Sequence, residues 1–577
     1  MALLVDPPPR DSAGERSPAT TTSNTGPPNT GSSNTGSSNT GSSNTGPSNI
    51  EPSNNAVPSD PADQSEATPD TLVITEPPGA ARQAEPGPGA TQAVVPGVSG
   101  PKLAEPPLTG GRVEALMGRL IRVLSHSPLA RPLPAVILSA LGLAGIAFNG
   151  LCATAPQPSV ATPPVLLPLT SVARNLGAPH LPDVAANVIM YVSITLCCGG
   201  LAMMLWANSR GWSPSPRKVF LTAAGAVAVL VNITPVGSGD VASYAAYGRI
   251  AALGHNPYTF TPNRLPGGAH NAYTQIVGVK WQATPSVYGP VATWTHLFAA
   301  LIGGEKAWLT IWVLMIMMGA AFLATGYVLL RTAENPVRAA LLWVANPLLI
   351  FELVIGGHLD AFLSLFAIAA IVMSRRCTKP WHDLAVGVLV GIAGGIKITA
   401  VFVAVAIAIP LIHDRAWVRL ARIAVVAGLT TFGLYIFSYG LSALGLAFAD
   451  SKLVISPTLW RLAQVTVQHY YGDHAEATVT STYGFIWWPL VLLLAWYLYN
   501  RLSPDVPTVV AATCALTLAF MVVTPWQLPW YSAVAWVTLA LLPRNSITRW
   551  LTIATVTLAL MHFNGGHPTN TPVGPTP

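Results

Sequence analysis

Long apolar runs recur from about residue 134 to residue 563, each closed by a short polar or basic stretch. A helix rises about 1.5 Å per residue, so roughly twenty such residues cross a hydrocarbon core of about 30 Å. The pattern predicts an all-α polytopic membrane protein. It predicts thirteen spans, near 134–155, 185–207, 219–236, 307–330, 337–354, 358–374, 383–396, 398–413, 423–448, 483–500, 507–524, 530–543 and 549–563. Segment 286–304 does not fit a simple span. Counting it as one would place Arg331 and Arg338 outside, so it is read as a juxtamembrane helix that lies along or dips into the outer face.

Four regions follow. Residues 1–110 repeat a five-residue unit in "NTGSSNTGSSNTGSSNTG" and hold almost nothing to bury, so they read as a disordered cytoplasmic tail rather than a secretory signal peptide. Residues 111–131 form a basic amphipathic segment: Leu116, Leu120 and Val123 share one helical face and Arg112, Arg119 and Arg122 lie off it. Residues 132–565 are the membrane-embedded domain. Residues 566–577 read as a disordered extracytoplasmic C-terminus.

Charge fixes the expected orientation. Only 9% of residues are charged, against roughly a quarter in soluble domains. Residues 1–110 carry eleven acids and four bases, the remainder thirteen acids and twenty-six bases. With the N-terminus inside, eighteen of those twenty-six bases fall on the cytoplasmic side and eight outside, the positive-inside bias. The basic excess therefore reports topology, not a nucleic-acid surface. The five cysteines are scattered through apolar segments with no metal or disulfide spacing.

The cytoplasmic loops are short and hold no Gly-rich phosphate loop. Polar chemistry gathers on the outer side. In "GSGDVASYAAYGRIAALGHNPYTF", residues 237–260, Asp240 emerges where an apolar run ends, among small residues that let a ligand near the backbone. It is placed to act as general base toward a sugar hydroxyl, and equally to cap the helix that starts at Val241. In "ELVIGGHLDAF", Glu352, His358 and Asp360 return to the same face. They suit sugar hydroxyls or a phosphate, or a capped helical hairpin, but give too few ligands for a metal. Lys397 interrupts "GIAGGIKITA" between two apolar runs, either snorkelling or meeting a lipid phosphate at headgroup depth. Arg249, Lys280 and Arg461 are further phosphate candidates. Tyr244, Tyr247, Tyr258 and Trp530, with Asn256 in the Asn-Pro-Tyr turn, are candidates to line a sugar pocket. "TPWQLPWYSAVAW" reads as an interfacial aromatic belt or as a stacking platform.

Nucleotide sugars are not generally available outside the membrane, so a transferase working there needs a donor carried by the membrane itself. The order "GDVASYAAYGRI", "NPYTF", "YGPV", "NPLLIFELVIGGHLDA" and "GIKITA" resembles the actinobacterial polyprenyl-phosphomannose-dependent α-1,6-mannosyltransferases, which have the C-type (GT-C) glycosyltransferase architecture. The resemblance covers roughly residues 130–565. It implies a GT-C-like bundle of about thirteen spans, and inverting transfer of mannose from a polyprenyl-phosphate donor to a glycan or glycolipid hydroxyl, as in lipomannan backbones. It implies Asp240 as base, with Glu352, His358 and Asp360 as a second cluster. No tightly bound cofactor is expected, and a divalent metal is not required if the cations hold the leaving phosphate. A peptide natural product is the alternative acceptor. A secondary transporter is the alternative class, although no internal repeat is evident and the polar residues sit at one edge rather than at mid-depth.

Overall fold

The computed structural model describes residues 132–153, 165–376, 379–440, 443, 445, 454, 458–502, 508–544 and 547–562. The expected tail, the basic segment 111–131 and the C-terminal residues 566–577 lie outside them. The described residues form helices joined by turns, with no strand among them.

Among the described residues, four helices are long and apolar enough to cross a membrane: Pro132–Leu151, Asp183–Ser209, Ala307–Thr332 and Trp417–Ser438. A bent pair, Pro336–Leu342 and Pro347–Ile355, meets at 43° and has the geometry of a broken span or a re-entrant loop. Six shorter apolar helices, among them Pro290–Gly303, Pro380–Ile396 and Thr508–Val523, complete the set. Four or five of the thirteen expected spans are thus full-length among the described residues, and those near 383–396, 398–413, 483–500, 507–524 and 549–563 fall on shorter apolar helices. Pro347 cannot continue a helix, and the Asn346 side chain accepts from the Leu348 and Leu349 amides at 3.1 and 3.4 Å, starting a new turn there. Lys397 has extended backbone (φ −152°, ψ 138°) and separates Pro380–Ile396 from Val401–His413. Conversely, the helix expected from residue 483 begins at Asp473 and runs to Asn500. Segment 286–304 is the fourteen-residue helix Pro290–Gly303.

Pro132–Leu151 packs along Asp183–Ser209, Pro380–Ile396 along Trp417–Ser438, and Asp240–Ala252 on Pro290–Gly303. At the second of these pairs the fully buried Asp383 accepts from Arg419 Nε at 2.7 Å and from Arg422 Nη2 at 2.7 Å, tying the two helices at one end.

Two glycines position the helix that carries Asp240. Gly237 holds φ +93° just before it, and a Cβ there would meet the Phe351 ring at 2.7 Å. Gly248 lies against the backbone carbonyl of His296, and a Cβ would overlap that oxygen. A carbonyl in a packed helix cannot swing aside, so Gly248→Ala must push the two helices apart. Overpacking of this kind costs about 1–3 kcal/mol. The variant is expected to lower the melting temperature of the detergent-solubilised protein and, because Asp240 rides on the displaced helix, to lower activity as well.

Candidate active site

The helix Asp240–Ala252 begins at Asp240 itself. Gly239 takes the cap position and no side-chain cap bond is made there, so the Asp240 carboxylate is not consumed in capping. Instead, residues 240, 243 and 247 recur at helical spacing and bring Asp240, Ser243 and Tyr247 to one wall of a cavity of about 390 Å³. The loop Thr284–Tyr288 forms a second wall. The break at Lys397–Thr399 brings the Lys397 ammonium to the same space, and Thr524–Tyr531 closes it with Trp526, Trp530 and Tyr531. Away from this polar end the lining is apolar: Ile398, Val401, Phe402, Trp487, Trp488 and Phe520.

Three groups meet Asp240. Tyr244 donates its hydroxyl to Asp240 Oδ2 at 3.3 Å, the Ser238 hydroxyl accepts from the Asp240 amide at 3.1 Å, and His358 Nδ1 stands 3.5 Å from the same Oδ2. The last distance is close enough for attraction but is not a closed hydrogen bond, and both ring nitrogens of His358 are otherwise without a hydrogen-bond partner. The Asp240 side chain keeps 31% of its surface open. Burial acts to raise its pKa; the His358 contact and charge, the Lys397 charge and the Tyr244 bond outweigh it, and the carboxyl is held below its ordinary value. Tyr244 is pushed the other way. Its burial, then the Asp240 and Asp360 charges, raise the phenol well above its usual range, so it keeps its proton and donates.

Lys397 Nζ donates to both oxygens of Asp360, at 3.1 and 3.0 Å, and lies 3.8 Å from the Tyr531 ring centroid. Asp360 is the first residue of helix Asp360–Arg376, only 4% exposed, and it faces the ammonium rather than the cavity. The helix break leaves Lys397 between a buried counter-ion and open space, an arrangement that fixes a cation at the cavity wall.

The other sequence candidates are placed as follows. Tyr247 lines the cavity and donates to the Thr284 and Pro285 carbonyls. Trp530 lines it and stacks on His358 with ring centroids 3.5 Å apart. His358 is fully buried behind Asp240 and Trp530 and does not reach the cavity. Tyr258 is buried, its hydroxyl bonded to the Tyr288 carbonyl and the Thr293 hydroxyl, and Asn256 accepts from the Tyr258 amide to shape that turn. Glu352 is buried in the π-helical turn Ile350–Ile355, within electrostatic reach of Cys198, and lines no part of the cavity. Arg249 is paired with Glu305 and lies over the Tyr273 ring. Lys280 lies over Trp281, and Arg461 donates to Gln464 on its own helix. None of these three lines the cavity. Of the expected cations, Lys397 alone does so among the described residues. No group of three or more His, Cys, Asp or Glu is arranged to hold a metal among those residues.

Sequence reasoning passed over Ser243, Thr399, Tyr288, Trp487 and Trp488 as lining residues. The spacing from Asp240 was enough to find Ser243. The tryptophan pair carried no such signal, because an apolar run does not distinguish lipid-facing from cavity-facing positions.

Comparison with known proteins adds the relationship. A family model described as "Alpha-(1->6)-mannopyranosyltransferase, N-terminal domain" matches residues 140–413, the stretch that holds Asp240, His358, Asp360 and Lys397. A "probable alpha-(1->6)-mannopyranosyltransferase" of Mycolicibacterium smegmatis is 27% identical over 397 residues, covering 59% of this chain and 70% of the relative. An alpha-(1->6)-mannopyranosyltransferase of Mycobacterium tuberculosis is 26% identical over 369 residues, covering 52% and 62%. Alpha-(1->6)-mannopyranosyltransferase B of Corynebacterium glutamicum is 25% identical over 338 residues, covering 53% and 56%. No solved structure matches the chain. Residues 140–413 are thus similar to the alpha-(1->6)-mannopyranosyltransferase family, and the relatives named for that stretch and beyond it are mannosyltransferases, that is, hexosyltransferases.

Proposed function

We propose that the chain transfers mannose from a polyprenyl-phosphate-linked donor to a glycan or glycolipid hydroxyl on the extracytoplasmic face, inverting the anomeric centre. One observation carries this reading: a single cavity has a carboxylate and an ammonium at its polar end and aromatic and aliphatic walls beyond. An amphiphile with a charged, sugar-bearing head and a long apolar chain suits such a lining, whereas a nucleotide sugar leaves the apolar walls without a partner.

Asp240 takes the proton of the acceptor hydroxyl as its oxygen bonds to the anomeric carbon. The bond from that carbon to the phosphate oxygen breaks, and its electron pair leaves with the polyprenyl phosphate. Lys397 faces the charge that develops there, and its pairing with Asp360 means that little reorganisation is needed at that moment. Tyr247 and Trp530 stand where the sugar lies against the wall. Arg249, Lys280 and Arg461 have no direct part in this scheme. The test is a supply experiment in washed membranes: labelled mannose from a polyprenyl-phosphate donor should reach a mannan oligosaccharide acceptor. Transfer from a nucleotide sugar, with none from the lipid donor, would reject the reading.

A further inference from the structure

His358 is a buried imidazole with no evident structural task. Its side chain is fully enclosed, neither ring nitrogen has a hydrogen-bond partner, and one face is covered by Trp530 at 3.5 Å and 16°. An imidazole left without partners in an enclosed site is costly unless a partner is taken up during the working cycle. Nδ1 points at a single acceptor, Asp240 Oδ2, 3.5 Å away. That separation is longer than a formed N–H···O bond by about half an ångström, and catalytic hydrogen bonds often tighten only when substrate is bound. The neighbouring chain favours this direction. Gly356 leaves room beside the ring, since a Cβ there would come within 3.2 Å of Nε2, and Gly357 at φ +68° turns the chain so that the ring faces helix Asp240–Ala252.

We infer that His358 is a positioning residue for Asp240: its Nδ1–H donates to Oδ2, with Trp530 holding the ring in plane, and so leaves Oδ1 to face the acceptor hydroxyl. This inference rests on the proposed role of Asp240. It replaces the donor-phosphate contact expected of His358 from the sequence, because the ring has no surface in the cavity. His358 takes no proton from substrate. When Oδ1 accepts the hydroxyl proton, the Nδ1–H bond holds the carboxyl orientation and weakens as the charge on Asp240 is lost. The ionisable groups of the surrounding elements are Asp240 and Tyr244 from the helix after Gly239, Tyr288 and His296 packed on Tyr244, Asp360 and Lys397 at the facing helix ends, Tyr531 next to Trp530, and Glu352 in the π-helical turn.

His358→Phe keeps a flat ring on Trp530 and removes the donor. His358→Asn retains an N–H near the position of Nδ1 and cannot become charged. Lipid-donor transfer by the solubilised enzyme, measured as kcat, KM for donor and pH profile, distinguishes the roles. His358→Phe should lower kcat about tenfold to a hundredfold, the scale of one hydrogen bond to a charged group. KM for the donor should stay within about twofold, and the acid limb of the profile should move to higher pH, because Asp240 loses a donor that favours its ionised form. His358→Asn should recover most of the lost kcat. An unchanged kcat and acid limb in His358→Phe overturns the inference, and so does a raised donor KM with unchanged kcat, which would make His358 a donor ligand. If the Phe variant does not fold, His358→Asn decides: activity within about tenfold of the parent supports a donor role, and a loss as deep as that of Asp240→Asn overturns it. Asp240→Asn is run alongside. Full activity there removes the base assignment itself, whereas its loss beside an unaffected His358→Phe removes only the role given to His358.

Discussion

Asp240→Asn is expected to lower mannose transfer from the lipid donor by about 10²–10⁴-fold, the range that a positioned general base contributes. The amide is nearly isosteric, still accepts from Tyr244 through its oxygen, and sits at a helix start where it makes no side-chain cap bond, so the fold should survive. The loss should appear in kcat, with donor KM little changed, since the carboxylate meets the acceptor proton and not the phosphate. The pH dependence has a definite sign. In the proposed scheme Asp240 acts ionised, and its surroundings hold its pKa below the ordinary value, so activity limited by this group should persist to lower pH than an unperturbed carboxylate would allow. Linkage gives stability the same direction. The favourable contacts of the ionised group are fully present above the unfolded-state pKa and are lost as pH falls through the lowered folded value. A steady decline in activity beginning near neutrality, with the fold intact, would point to a different base.

Lys397→Met is the second large expected effect, and it acts twice. Catalytically it removes the one cation that lines the cavity among the described residues. Losing a preorganised group that faces developing negative charge costs about 10²–10³-fold in kcat. Structurally it strands Asp360, a 4% exposed carboxylate whose two oxygens both bond Lys397. Removing one partner of a buried pair costs about 3–5 kcal/mol, because the other charge is left uncompensated. The double variant Lys397→Met/Asp360→Asn separates the two consequences. It removes the stranded charge, so the melting temperature should return most of the way to that of the parent, while transfer stays as low as in Lys397→Met. If the double variant regains activity together with stability, Lys397 is a structural ion and not a leaving-group partner.

The sequence located this site along one coordinate and not along the others. Positive-inside bias and hydrophobic spacing assigned Asp240, Lys397 and Trp530 to one side of the membrane, and those three do line one cavity. The same reasoning put Arg249, Lys280 and Arg461 on that side, yet none reaches the cavity. Direction around a helix or loop is set by the nearest partner, and Arg249 is captured by Glu305, 56 residues away in the chain. No periodicity reports such a pairing. His358 was legible as a polar outlier but not as a buried one, because the two glycines before it gave flexibility without direction. The all-helical, apolar character was legible, whereas the count of thirteen full-length spans is not confirmed. Hydropathy marks where chain is apolar but not where it bends: the stretch expected as one span at 337–354 is broken at Asn346 and Pro347, whereas the Lys397 break, which brings a cation to the cavity, was legible as a gap between two apolar runs.

The central claim is that Asp240 and Lys397 share one cavity, open on the extracytoplasmic side, that receives a lipid-linked sugar phosphate. Ser243 lines it one helical turn from Asp240. In a chain whose five native cysteines are replaced, Ser243→Cys should react in intact cells with a membrane-impermeant maleimide, and polyprenyl-phosphomannose should protect it. Labelling only after the cytoplasmic side is opened, or labelling that the lipid donor leaves unchanged, would contradict the account.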